Sequence, residues 1–146
     1  MPATVALPGN GYFSMIRRGG VFDGARRWWL EAFVSPDAGA SWYRLDQPTI
    51  DNAGNPAALV RMRDDRIAMT YGWRHDPTGI RARISNDQGQ TWSDEIILRA
   101  DGRNWDLGYP RSVQRADGKI VTVYYFNDRS QIERYIAATI WEAPEE

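Results

Sequence analysis

Gly108-Tyr109-Pro110-Arg111-Ser112-Val113 places a phenol and a guanidinium two residues apart. On a regular strand both side chains face the same way. An arginine beside a phenol can hold an acidic or polyhydroxyl ligand, because the planar guanidinium forks onto carboxylates. Asp106 or Glu133 can act as a carboxylate partner, and Glu133 equally suits a solvated surface. Trp105, in Asn104-Trp105-Asp106-Leu107, can stack on a sugar ring or pack a loop. His75 is the only histidine. One imidazole builds neither a zinc site nor a catalytic triad, so it reads as a loop residue in Trp73-Arg74-His75-Asp76-Pro77.

Composition narrows the field. Of the 18 lysines and arginines only Lys119 is a lysine, and this bias is either codon usage or a demand for the arginine fork. A net charge of −1 provides no field for nucleic acid or an anionic membrane. Seven Trp and seven Tyr suit half-buried strands and sugar-binding faces. The absence of cysteine excludes disulfides, Cys metal sites and a Cys nucleophile, but does not fix the compartment. Residues 1–11 show no basic region followed by an apolar run, and no stretch approaches the roughly 18 apolar residues of a membrane span. The expectation is a soluble chain with no visible signal peptide, no metal and no cofactor.

These residues must be positioned by repeats. Ser-Pro-Asp-Ala-Gly-Ala-Ser-Trp (35–42) and Ser-Asn-Asp-Gln-Gly-Gln-Thr-Trp (85–92) share S-x-D-x-G-x-[ST]-W. They lie about 50 residues apart, the size of a four-stranded propeller blade. A Gly-led segment that runs into a strand recurs at Gly11, Gly54 and Gly108. In the last two cases a turn and an apolar strand follow. The second repeat predicts strands at 57–63, 66–73, 80–85 and 95–98. Ile80-Arg81-Ala82-Arg83-Ile84 alternates as a half-exposed strand should. The third repeat predicts strands at 111–115, 119–127 and 134–141 and lacks a fourth. Ile132, Ile136 and Ile140 also fit helical spacing, but Tyr135, Thr139 and the parallel with 80–85 favour strand. The first repeat predicts strands at 4–7, 12–17, 28–34 and 43–45, with 19–27 between the middle two. The expected fold is all-β: one domain of about three four-stranded antiparallel blades, at roughly 4–46, 54–100 and 108–142.

The repeated turn has its own chemistry. The Asp side chain accepts N–H bonds from its own turn, the Gly supplies a positive φ, and the Trp packs on neighbouring strands. The spacing fails the calcium-loop pattern. The turns are therefore expected to be structural.

With these turns and strands the chain resembles the sialidase superfamily of six-bladed propellers with Asp boxes. The stretch 54–141 is similar to the C-terminal part of bacterial exo-α-sialidase-like proteins. The resemblance implies half of such a propeller, with a binding site where the inner strands converge and the Asp boxes on the outer rim. It implies a Tyr nucleophile assisted by a Glu, an Asp acid/base and three arginines around a carboxylate. The family's G-Y-S-x-L placement falls on Tyr109, which can alternatively pack the axial channel. The family's Glu position is occupied by Pro56. Arg74 stands about two residues late for one arginine, and Arg81 lies a few residues past another. The N-terminal arginine and the acid/base Asp have no match. The resulting axial set is Tyr109 and Asp106 as catalytic candidates, with Arg111, Arg74, Arg81 and Trp105 as sugar-binding candidates.

Three blades do not close a ring. Either the chain is part of a longer protein or two copies pair as a homodimer to complete six blades. Three functions stay open: a sialidase-like glycosidase, intact or degenerate; a non-catalytic carbohydrate-binding propeller; and a half-propeller without a ligand.

Overall fold

The computed structural model describes residues 1–130 and 132–145. It is all-β, with eleven strands in three antiparallel sheets. The first blade comprises β1 (Pro2–Ala6), β2 (Tyr12–Phe22), β3 (Ala25–Ser35) and β4 (Tyr43–Arg44). The second comprises β5 (Ala57–Arg61), β6 (Ile67–Trp73), β7 (Gly79–Ser85) and β8 (Ile96–Arg99). The third has three strands, β9 (Gly108–Gln114), β10 (Ile120–Phe126) and β11 (Tyr135–Trp141). The segment open to a helical reading is thus strand β11.

The middle blade is covered on both faces. Ala57, Leu59, Ile67, Met69 and Tyr71 pack against Phe13, Met15, Leu30 and Ala32 of the first blade. Ala68, Ala82 and Ile84 meet Ile120 and Trp141 of the third, and Ile80 meets Leu107, Tyr124 and Phe126. Hence β6 reads as a nearly continuous apolar run, Ile-Ala-Met-Thr-Tyr-Gly-Trp, buried at all but its last residue. The inner strands β1, β5 and β9 lie side by side, β5 between the other two.

Two expectations change. The segment 19–27 is not a loop: β2 and β3 continue to a two-residue turn at Asp23-Gly24. Both turn residues have positive φ, 49° and 77°, the geometry that Asp-Gly favours in a tight hairpin. Strand β7 is also not half-exposed. Arg81 is 2% exposed, and Glu95 and the carbonyls of Pro77, Ile80 and Arg99 take up its guanidinium within the second blade. Glu95 also accepts from the Tyr71 hydroxyl at 2.8 Å. Burial pushes the Tyr71 phenol above the ordinary tyrosine range, against the pull of Arg83.

The two S-x-D-x-G-x-[ST]-W turns share their Ser, Asp and Gly bonds and differ at the tryptophan, where the Trp42 indole donates to the Gly39 carbonyl (3.1 Å) and the buried Trp92 indole N–H has no partner among the described residues. Asp37 Oδ1 accepts from Ser35 Oγ (2.9 Å) and the Ser41 amide (2.8 Å). Asp87 Oδ1 accepts from Ser85 Oγ and the Thr91 amide, both at 2.8 Å. Ser35 and Ser85 each receive the glycine amide of the turn at 2.8 Å. Trp92 packs on Phe13 with ring centroids 5.8 Å apart, whereas Trp42 stacks more openly on Tyr12. Ser35 pairs with Tyr12, which pairs with Ala6 at the end of β1. The turns therefore sit at the opposite end of the sheets from the start of β1, β5 and β9.

Candidate functional site

At the starting end of the inner strands the three blades bring together Arg17, Arg74, Trp105, Tyr109 and Tyr125. The segment entering β9 fixes the arrangement. Gly108 has φ 114° and Tyr109 has φ 50°, so the chain turns sharply as it enters the strand. The fully buried Asn55, just before β5, holds this turn. Its Oδ1 accepts the amides of Gly72 (2.9 Å) and Tyr109 (3.3 Å), and its Nδ2 donates to the Leu107 carbonyl (3.1 Å). A Cβ on Gly108 would lie 2.3 Å from Asn55 Nδ2, so only glycine leaves room for this carboxamide.

Around Tyr109 the cluster is cationic and aromatic. Arg17, on β2 of the first blade, donates to the Tyr109 hydroxyl (3.3 Å) and to the Gly54 carbonyl (3.2 Å). Its guanidinium lies 5.7 Å from the centre of the Trp28 ring. Arg74 donates from Nε and Nη2 to the Leu107 carbonyl and from Nη2 to the Tyr125 hydroxyl (3.3 Å). It also sits 5.6 Å from the Trp105 ring centre and 5.8 Å from that of Tyr109. Trp105 is 62% exposed and Tyr109 38%, so the two rings face solvent, while Arg74 is half-buried against them.

The carboxylate belongs to a different phenol. Tyr125 donates to Asp106 Oδ1 at 2.9 Å, and Arg134 pairs with Asp106 Oδ2 at 2.8 Å. Burial, then the bond to Asp106, pushes the Tyr125 phenol above the ordinary tyrosine value, and the nearby Arg74 cation works against both. Among the described residues no carboxylate bonds to the Tyr109 hydroxyl.

The structure therefore brings together Tyr109, Arg74 and Trp105, with Asp106 joined through Tyr125. Arg81 lies apart from them, in the ion pair with Glu95. Arg111 is exposed and, among the described residues, donates only to the Pro110 carbonyl (2.9 Å). The left-handed Tyr109, and the register shift between Val123 and Tyr125, break the regular alternation that would align Arg111 with Tyr109. Glu133 is exposed. His75 contacts Asp51 at 3.1 Å and Trp73 edge-on, outside the cluster.

Sequence reading missed Arg17, Asn55 and Tyr125. A signal for two of them exists in the strand register. Tyr12 pairs with Ser35, Ile67 with Ser85 and Ile120 with Trp141, so Arg17, Gly72 and Tyr125 occupy equivalent places on three middle strands. Gly72 keeps that place empty for Asn55, while Arg17 and Tyr125 fill it with polar groups.

Two grooves lie elsewhere on the surface, and no residue of the cluster lines either. One of about 520 Å³ lies by the second turn, lined by Arg66, Thr91, Trp92 and Glu95 among others. Another of about 510 Å³ lies beside the long hairpin, lined by Phe22, Arg27, Trp28, Trp29, Glu31 and Arg44 among others. Among the described residues no group of three or more His, Cys, Asp or Glu side chains is placed to hold a metal ion. Among the described residues no helix is long and apolar enough to cross a membrane.

No family model and no curated protein sequence matches the chain. Solved structures do. A protein of unknown function from Dyadobacter fermentans is 30% identical, with a TM-score of 0.73 over 98% of this chain and 38% of that one. An ulvan lyase of polysaccharide lyase family PL25, bound to a GlcA-containing saccharide, has a TM-score of 0.64 at 15% identity, covering 87% of this chain and 32% of its own. The GH93 alpha-L-arabinofuranosidase of Fusarium graminearum, in complex with arabinobiose, has a TM-score of 0.66 at 13% identity, covering 99% and 46%. The chain spans less than half the length of each. At 13% and 15% identity the likeness is one of fold.

Proposed function

We propose that the chain binds an acidic or polyhydroxyl sugar at the Arg17, Arg74, Trp105 and Tyr109 cluster. One observation carries this reading: Arg74 is held between the exposed rings of Trp105 and Tyr109, with a second guanidinium, Arg17, on the Tyr109 phenol. An exposed ring gives a sugar face its stacking surface, and a guanidinium fixed by ring and carbonyl contacts presents its remaining donors to a carboxylate or hydroxyl pair. Carbohydrate-active enzymes among the fold neighbours, one bound to a GlcA-containing saccharide, are consistent with it. The test is a glycan array carrying sialic-acid, uronic-acid and neutral saccharides, followed by titration calorimetry on any hit. Binding that is lost in Arg74→Ala supports the reading; an empty array rejects it.

A second reading, hydrolysis in the manner of a sialidase, has one observation in its favour. Tyr125 and Asp106 form a phenol–carboxylate pair, the elements of a nucleophile and its base. That phenol is raised above the ordinary tyrosine value, which opposes formation of the attacking phenolate at neutral pH. Tyr109 has Arg17 on its hydroxyl and no carboxylate among the described residues. The geometry thus favours binding over turnover. A panel of aryl glycosides separates the two readings: release of the phenol by the wild type, abolished in Tyr109→Phe or Tyr125→Phe, would establish hydrolysis.

A further inference from the structure

The long hairpin of the first blade rises beside the Tyr109 cluster. Arg17, Gly72 and Tyr125 hold equivalent places on the three middle strands. Strands β6 and β10 end one residue later, at Trp73 and Phe126, whereas β2 runs on to Phe22. At about 3.3 Å per residue, the end of β2 stands roughly 13 Å beyond the ends of the other two strands. Alternation assigns the two faces of this hairpin. Arg17 pairs with Leu30, Gly19 with Trp28 and Val21 with Arg26, so these residues share one face. Leu30 packs in the core between the first and second blades, and the same face, carried upward, overlooks the entry to β5. Arg18, Arg27, Trp29 and Glu31 take the opposite face, where Glu31 pairs with Arg18 at 3.4 Å.

Trp28 is the pivot of the first face. A Cβ on Gly19 would come 2.3 Å from its ring and one on Gly54 3.1 Å, so two glycines leave the space that the indole occupies. The Arg17 guanidinium lies 5.7 Å from the ring centre and that of Arg26 5.3 Å. Arg17 bonds the Tyr109 hydroxyl, and Arg74 lies against the rings of both Tyr109 and Trp105. Cations and rings therefore alternate from Arg26 through Trp28, Arg17, Tyr109 and Arg74 to Trp105, across all three blades. Among the described residues no carboxylate pairs with Arg17, Arg26 or Arg74. Uncompensated cations repel one another, and an anion that spans them relieves that repulsion.

We propose that Arg26 holds a second anionic group, so that the site takes an acidic oligosaccharide charged on more than one residue rather than a single terminal sugar. The proposal rests on the sugar-site reading and names the ligand class of that site. Arg74 and Trp105 hold one sugar residue, and Arg26 takes the charge of another. Trp28 positions Arg26 and Arg17 at a fixed spacing. Arg26 is exposed, so its donors are open to such a group.

The test is the dependence of affinity on chain length. Oligomers of galacturonic acid, mannuronic acid and sulfated galactose, each as monomer, dimer and tetramer, are titrated against the protein by calorimetry. For a chain that binds, the tetramer should bind about tenfold or more tightly than the monomer. Arg26→Ala should remove most of that gain and leave the monomer affinity unchanged. Arg27→Ala removes the same charge from the opposite face and should keep the gain. Val21→Glu, at a 65% exposed position on the Arg26 face, should weaken the tetramer and spare the monomer. A tetramer no tighter than the monomer, or a gain that survives Arg26→Ala or falls equally with Arg27→Ala, would overturn the proposal and leave the Arg74 site standing. Absence of binding at every length would reject the sugar site and the proposal with it.

Discussion

The carboxamide oxygen of Asn55 accepts the backbone N–H of Tyr109 at 3.3 Å, a bond that joins the start of the second blade's inner strand to the start of the third's. The same side chain takes the Gly72 amide and donates to the Leu107 carbonyl. One buried residue thus sets the backbone on which the exposed phenol stands.

Asn55→Ala should be costly. It strands up to three backbone groups in a fully buried position, at roughly 1–3 kcal/mol for each group left unpaired. Urea unfolding should show a drop in stability of that order or more. A change within a few tenths of a kcal/mol would mean that water or a shifted backbone replaces the carboxamide.

Two glycines offer an internal control. Gly108→Ala meets a positive φ and the Asn55 side chain together, whereas Gly118→Ala meets a positive φ of 87° with nothing within 4 Å of the added carbon. Gly118→Ala should cost about 1 kcal/mol from backbone strain alone. Gly108→Ala should cost clearly more and should disturb the Tyr109 ring. Equal losses in thermal denaturation would argue that the Asn55 contact is slack.

Arg81 separates stability from binding. Its guanidinium is buried against Glu95 and three carbonyls, so Arg81→Met leaves a carboxylate and several oxygens without a cation. The expected loss is roughly 3 kcal/mol, the scale of breaking a buried pair. Sugar affinity measured well below the melting temperature should be unchanged. A selective loss of affinity with stability intact would return Arg81 to the site.

The repeated turns give a pH dependence. Partial burial of Asp87 opposes its charge, but the bonds from Thr91, Ser85 and the Gln90 amide together outweigh it and hold the carboxyl below the ordinary aspartate value. The unfolded chain titrates near about 3.9. A depressed folded value means that the stabilisation is complete above the unfolded value and is lost as pH falls through the folded one. Carboxyl carbon NMR should place Asp87 below ordinary aspartate, and Thr91→Val should move it upward and soften the acid-side fall in melting temperature. An Asp87 that titrates at the ordinary value in the wild type would contradict this account of the turn.

Legibility from sequence follows the range of the interactions. The turns at 35–42 and 85–92 and the alternating strands are local patterns, and they specified three antiparallel blades. The hairpin at Asp23-Gly24 was also written locally, in an Asp-Gly pair between Val21-Phe22 and the two tryptophans, but two glycines at 19 and 20 disguised the strand. Arg81 looked exposed because alternation reports which face a side chain takes and not what covers that face. Arg17, Asn55 and Tyr125 act across blade boundaries, and no spacing within a single repeat encodes such contacts. Tyr109, Arg74 and Trp105 were visible as residue types, while the rings that grip Arg74 emerged only once the blades were packed.

The most direct measurement of the sugar-site claim is titration calorimetry of an acidic oligosaccharide against the wild type, Arg74→Ala and Trp105→Ala, with Arg111→Ala as a comparison outside the cluster. Arg74→Ala and Trp105→Ala should each weaken binding by about tenfold or more, the scale of a lost cation–π or charge-assisted contact, with melting temperatures near that of the wild type. Arg111→Ala should bind as the wild type does. Binding that survives both cluster substitutions, or that is lost only with Arg111, would contradict the account.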